Sequence, residues 1–314
     1  MRAISIYKSK LSKSISLLLK ISIILAALGY ITHGIFQSST YIQLSLFTDD
    51  FQYPFLVLAI LLVLVNSSIE AVKWKYLLRN IERLSFVAAL KSTFSGIAIG
   101  MFTPNRSGDF VGRIVHLDKK NRIKAVSASF VGGGTQFAVT LFCGSLAMWY
   151  YSYYVDITML SLLHSFDISV ATTSILIVIV AALAYFWSKL IQIARPISSL
   201  FTRELVHVFL LSLFRYLVFT TQFYFLLRSF GVDIGLVNSY VLIALSFFLS
   251  SLAPTFSVAE VIVRSASSAL VFSLIVNNTA AVVASSMLLW IINLGIPALI
   301  GGLLLTDIAK IEND

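Results

Sequence analysis

Apolar residues fall into nine blocks separated by short polar stretches, near 15–36, 53–72, 84–102, 125–149, 168–187, 205–227, 239–253, 257–276 and 281–305. Several approach the ~20 residues that a helix needs to cross a bilayer. The pattern predicts an all-α integral membrane protein, one polytopic domain over 1–314 with eight or nine hydrophobic segments. The block at 84–102 is followed by "FTPNRSGDFVGR" (Phe102–Arg113), which packs a proline, a glycine, an acid and two arginines behind an apolar run.

The positive charges say which way the blocks run. Of 23 Lys and Arg, 19 lie in four patches, at 1–20, 73–91, 104–124 and 188–204. The segments 37–53 and 149–168 contain none, although Asp49, Asp50, Asp156 and Asp167 mark them as polar. Cytoplasmic loops carry the excess of Lys and Arg, so the N-terminus, 73–91, 104–124 and 188–204 are expected inside. If 84–102 crossed the membrane, the most basic loop would face outside. The conflict vanishes if the chain enters near Leu84, breaks at Thr103-Pro104 and returns to the same side. The expected architecture has six full crossings, two Pro-broken re-entrant hairpins, pseudo-repeated halves at about 15–149 and 168–305, and both termini in the cytoplasm. The competing arrangement lets every run cross and leaves one basic loop outside.

The second hairpin is expected at 239–276, with "APTFSVAEVIVR" (Ala253–Arg264) at its break. Both breaks hold a small residue before proline, Thr103-Pro104 and Ala253-Pro254. Both place a carboxylate five or six residues later, Asp109 and Glu260, and an arginine four residues after that, Arg113 and Arg264. Proline lacks an N–H and disfavours helix in the residue before it, which ends the first half-helix. Acid and arginine at i, i+4 share a helical face and neutralise each other. Broken backbone at membrane depth is tolerated only where it is buried in protein or lines a wet cavity. Short, interrupted segments at corresponding places in two halves are a pointer to a transporter's binding site.

Composition narrows the class. The chain is 58% hydrophobic and 12% charged, against about 25% charged in a soluble domain. Its net charge of +9 is accounted for by the cytoplasmic patches, so no nucleic-acid partner is expected. Cys143 is alone, and His33, His116, His164 and His207 are scattered, so neither a disulfide nor a metal site is expected. No phosphate-binding loop or dinucleotide fingerprint occurs, and no cofactor is expected. The basic start resembles a signal peptide, but 15–36 is long, carries Lys20 and reads as the first spanning helix.

Other polar residues interrupt the apolar runs: Asn66, Glu70, Gln136, Arg215, Gln222 and Asn293. Glu70, beside Lys73 and Trp74, is expected to anchor its helix at the cytoplasmic interface. Arg215 has no acid within helical reach, so its partner is expected on another helix, with Asp109 or Glu260 the candidates. "VGGGTQF" (131–137) reads as a close-packing face of small residues.

"TPNRSGDFVGR" resembles the P-x-R-x-G-E-x-x-R-type motif of the lysylphosphatidylglycerol synthase/flippase transmembrane family. "LAPTFSVAEVIVRSA" (252–266) stands where that family has a P-x-P-G-G-x-G-x-x-E element, and "EAVKWKYLL" (70–78) is similar to its early Arg/Lys-Trp-x-x-Leu-Leu turn. The spacing matches over roughly 15–305. The resemblance implies a membrane protein whose bacterial relatives move aminoacylated phosphatidylglycerol between leaflets, and whose archaeal relatives are associated with lipid-linked sugar metabolism. Pro104, Arg106, Gly108, Asp109 and Arg113 match the first motif, with Asp for the usual Glu; Pro254 and Glu260 match the second. Thr255, Phe256, Ser257 and Val258 stand where the second motif has glycines. No soluble aminoacyl-transferase domain follows within the 314 residues, so lysyl transfer is not expected.

The expected function is a flippase-like transporter of a phospholipid or lipid-linked headgroup in the cytoplasmic membrane. The headgroup would be anionic or phosphate-containing, and a homo-oligomer is left open. Pro104, Asn105, Arg106, Gly108, Asp109, Arg113, Arg215, Pro254, Glu260 and Arg264 are the candidate substrate-binding residues. A membrane transferase acting on a polyprenyl- or phospholipid-linked substrate, with Asp109 or Glu260 as base, is the alternative, and a non-catalytic scaffold a third.

Overall fold

The structure, a computed structural model, describes residues 51–103, 106–154, 185, 188–189, 202–253 and 257–311. The predicted spans 15–36 and 168–187 lie outside the described residues, apart from Tyr185 at the end of the second, as do the breaks at Pro104-Asn105 and Pro254–Phe256. The described residues are helical, with no strand among them. They form α1 (Tyr53–Leu78), α2 (Phe86–Gly100), α3 (Gly108–Ile114), α4 (Arg122–Tyr154), α5 (Thr202–Ser229), α6 (Leu236–Leu252), α7 (Ser257–Phe272), α8 (Thr279–Trp290) and α9 (Ile296–Ile311). Among them, α1, α4, α5 and the α8–α9 run are long and apolar enough to cross a membrane, whereas α2 and α6 are shorter.

Local chemistry accounts for the ends. Pro54 stands in the first turn of α1, where its missing N–H costs nothing. Ser85 caps α2 by accepting from the Ala88 N–H at 3.1 Å, and Asn278 caps α8 by accepting from Ala281 at 3.1 Å. The predicted block 281–305 is one continuous rod with a π turn at Ile291–Gly295 joining α8 to α9. Pro297 stands two residues after the turn, in the first turn of α9; it can donate no i→i−4 bond, and a widened turn absorbs the defect.

α2 and α3 form an antiparallel hairpin held together by glycines. A Cβ on Gly112 would overlap the backbone of Ser95 and Gly96, and one on Gly100 would lie 3.3 Å from Asp109. The Ser92 hydroxyl donates to the Arg113 carbonyl at 2.5 Å and accepts from Trp74 Nε1 at 2.8 Å, which ties the hairpin to α1. Its two ends lie together: Glu82, just before α2, accepts from the Asp118 N–H at 3.2 Å and from Asn121 Nδ2 at 2.8 Å. The basic stretch after the break is therefore not a plain loop, since it carries α3 and a 3-10 turn at Lys119–Asn121.

The packing of the helices is reciprocal. α1 lies along α5, α2 packs on α9, and α6 packs on α4. Glycine permits both of the latter contacts: Gly301 of α9 meets the Phe94 carbonyl of α2, and Gly144 of α4 meets the Phe248 ring of α6. One apolar core gathers around Phe223, Leu242, Ile243, Phe272 and Val282. A second surrounds Trp74, Leu78, Ala128 and Leu205. Glu70, Lys73 and Glu260 are buried between the helices, whereas Lys75, Lys91 and Lys124 are exposed on α1, α2 and α4.

Candidate functional site

Asn66, Glu70 and Lys73 stand at i, i+4 and i+7 on α1, so they share one face, and all three are buried. Glu70 is 5% exposed. One of its oxygens meets Lys73 Nζ at 2.9 Å and Arg215 Nη1 at 3.0 Å; the other meets Arg113 Nη1 at 2.8 Å. A single carboxylate thus links α1, the α2–α3 hairpin and α5. Lys73 completes its three donors on the Gly132 carbonyl at 3.3 Å and Ser212 Oγ at 3.4 Å. Three acceptors around one ammonium keep the buried charge satisfied.

Arg113 also donates through Nε and Nη2 to Asp109 Oδ2, at 3.1 and 3.0 Å. Its guanidinium lies 5.5 Å from the Trp74 ring centre. The second hairpin repeats the motif in miniature. Glu260 accepts from Arg264 Nε and Nη2, both at 2.9 Å, and Arg264 lies 5.9 Å from the Phe219 ring centre. The i, i+4 pairs predicted from spacing are both formed.

An amide chain extends the cluster. Arg215 Nε donates to Asn66 Oδ1 at 3.0 Å and Nη1 to Gln136 Oε1 at 3.4 Å. Asn66 donates to Asn293 at 2.8 Å, and Asn293 donates to Gln222 at 3.1 Å. The π turn brings Asn293 to this chain, which joins α1, α4, α5 and the α8–α9 rod.

These groups surround a cavity of about 810 Å3, within the about 300–1,000 Å3 range of small-molecule sites. Of the predicted site residues, Arg106, Asp109, Arg113, Arg215, Glu260 and Arg264 line it together. Pro104, Asn105 and Pro254 lie outside the described residues. Gly108 does not line the cavity. It is buried where a Cβ would come within 2.8 Å of Thr103 and the Ile99 carbonyl, so its part is close packing at the tip. Arg106, also at the tip, has φ 55°, a left-handed conformation unusual for a residue with a side chain.

Three expectations need correction. Arg215 pairs with Glu70, not with Asp109 or Glu260, because α1 and α5 pack along each other and bring the two mid-helix charges together. Glu70 is not an interfacial anchor; it is buried at the cavity wall and shared by three cations. The 131–137 stretch does pack closely, with a Gly132 Cβ position 3.0 Å from Leu77, but Gly132, Gly133, Gln136 and Phe137 also line the cavity. A usable signal was present: three polar residues on one face of an otherwise apolar helix, in a chain with only 14 acids.

The matching family model is the lysylphosphatidylglycerol synthase TM region, over residues 17–302. The chain belongs to this family. It is an integral membrane protein of a family tied by its name to lipid metabolism. No curated protein matches the chain. Among the described residues no group of His, Cys, Asp and Glu could hold a metal ion. The match spans both acid–arginine hairpins and the Glu70–Leu78 segment, so the cavity lies wholly within the family region.

Proposed function

We propose that this family member is a flippase-like transporter that takes the phosphate-bearing headgroup of a phospholipid or lipid-linked sugar into the cavity between two re-entrant hairpins. The observation that carries this reading is one cavity reaching the acid–arginine pairs of both hairpins. A charge in hydrocarbon is costly unless it faces a protein-lined polar space. Passing the headgroup through such a space while its tails stay in lipid lowers that cost. Arg106 and Arg215 contact the phosphate; Asp109–Arg113 and Glu260–Arg264 shape the cavity around it.

Lengths and charges support the re-entrant arrangement. At 1.5 Å per residue, the 15-residue α2 is roughly 22 Å long, short of the ~30 Å hydrocarbon core. The Glu82 contacts with Asp118 and Asn121 hold both ends of the hairpin on one side. With Arg83, Lys119 and Lys120 beside them, that side is the cytoplasm. Three crossings in each half, 15–149 and 168–305, invert the second half relative to the first. The hairpins then approach the bilayer centre from opposite faces, as in transporters built of inverted repeats. The exchange of partners, α2 on α9 and α6 on α4, fits such a two-fold relation. Both termini are cytoplasmic in this arrangement, and the membrane is the cytoplasmic one.

The test is lipid translocation in proteoliposomes with a fluorescent phospholipid. Arg106→Ala and Asp109→Asn should each abolish it while the protein stays folded, with the elution volume of the parent. Normal translocation by both variants would overturn the proposal. Mass spectrometry of the lipid recovered from the same vesicles separates transport from group transfer, since only transfer changes its mass.

A further inference from the structure

We infer that the cavity selects a phosphate carrying two negative charges, a phosphomonoester, over a singly charged phosphodiester and over an amine-bearing headgroup. The inference rests on the transport reading above and names its substrate class. Five cations line the cavity, Lys73, Arg106, Arg113, Arg215 and Arg264, against three carboxylates, Glu70, Asp109 and Glu260. Two positive charges remain uncompensated.

Geometry assigns the surplus to particular residues. Glu70 neutralises Lys73, whose three donors are all engaged. Asp109 holds Arg113 and Glu260 holds Arg264. Arg106 and Arg215 are left. Arg215 leans on Glu70, but that carboxylate is shared by three cations and offers each only part of a charge. Arg106 makes no ion pair within 4 Å among the described residues; Glu260, the acid that feels its charge, is already held by Arg264, and Arg106 stands at the hairpin tip in a backbone conformation that suits glycine better. Strain of this kind persists only where the surroundings impose it, and it concentrates at ligand sites.

The acids point the same way. Each carboxylate already faces at least one arginine or lysine, and Asp109 Oδ1, a buried acceptor without a hydrogen-bond partner among the described residues, lies against Gly96 of α2, where a ligand ammonium has no room. Ser129, which lines the cavity, has a buried hydroxyl without a hydrogen-bond partner among the described residues. It is a donor in need of an acceptor, and a terminal phosphate brings three acceptor oxygens. Uncompensated positive charge and an unused hydroxyl together favour an anion rich in acceptors and poor in donors.

Charge state supplies the test, because a phosphomonoester loses its second proton near pH 6 whereas a phosphodiester keeps one charge throughout. Binding is measured on the full chain in neutral-lipid nanodiscs, with phosphatidic acid, phosphatidylglycerol and lysyl-phosphatidylglycerol as probes. At pH 7.5 phosphatidic acid should bind at least about tenfold tighter than phosphatidylglycerol, the scale of one charge-assisted hydrogen bond. The ratio should fall toward unity at pH 5, and also at pH 7.5 in Arg106→Gln. Arg83→Gln, an exposed arginine outside the cavity, should leave it unchanged. The pH comparison needs no variant, so a folding defect in Arg106→Gln would not blunt the test. Equal affinity for the first two lipids at both pH values, or a preference for the lysyl lipid, overturns the inference and leaves lipid transport standing. Inorganic phosphate competing as strongly as phosphatidic acid keeps the dianion but removes the lipid. Absence of binding by every probe overturns this inference, while the transport reading stands or falls on the translocation assay.

Discussion

At Glu70 three cations from three elements meet one buried carboxylate, and removing its charge leaves all of them facing a neutral amide. Breaking a buried ion pair by deleting one partner costs about 3–5 kcal/mol. Glu70→Gln is therefore expected to destabilise the protein by about that amount, read as a lower melting temperature in detergent. Arg215→Gln should cost less, because Glu70 keeps Lys73 and Arg113. Glu70→Gln combined with Lys73→Met should recover part of the loss, since the double variant removes a pair instead of orphaning one member. An unchanged melting temperature in Glu70→Gln would mean that water screens the cluster. Glu70 escaped the sequence reading because Lys73, three residues on, satisfied it locally and the basic segment beyond resembled an interface.

The helices meet at glycines, and two neighbouring positions on α9 separate contact from open space. A Cβ at Gly301 would overlap the Phe94 carbonyl of α2, whereas one at Gly302 would meet nothing within 4 Å. Backbone cannot yield as a flexible side chain can. Gly301→Ala is expected to cost about 1–3 kcal/mol, the usual penalty of overpacking. Gly302→Ala should be neutral or stabilising by up to about 1 kcal/mol, since alanine is the better helix former. Thermal melts of the two variants side by side check the pair; equal effects would show that α2 and α9 are not in close contact. The same logic makes α2–α3 a rigid unit, with Gly96, Gly100 and Gly112 admitting the Asp109–Arg113 edge against α2.

Over the whole molecule, the charge pattern and the hairpin make a prediction about sidedness. In a Cys143→Ser background, Arg83→Cys and Lys120→Cys lie at exposed positions on either end of the first hairpin. Both should react with an impermeant maleimide from the cytoplasmic side only. Asn277→Cys, exposed after α7, should react from the opposite side only. Labelling of Arg83→Cys and Lys120→Cys from different sides would mean that the first hairpin crosses, in agreement with the arrangement in which every apolar run spans.

The amino-acid sequence alone determined the class of the molecule and most of its described helices, because lipid admits only segments whose backbone bonds close internally over a sufficient apolar length. Proline before a polar turn marked both breaks, and the i, i+4 spacing of Asp109 with Arg113 and of Glu260 with Arg264 is local enough to be read directly. Family membership was legible for the same reason, in short motifs at fixed spacing. The partner of Arg215, the burial of Glu70 and the amide chain through Asn66 and Asn293 were not legible, since they join residues up to 227 positions apart. Only the tertiary structure decided them. Which charges meet across a cavity depends on how α1, α5 and the π-turned rod cross, and that is set by the packing of apolar faces and glycines remote from the charges themselves.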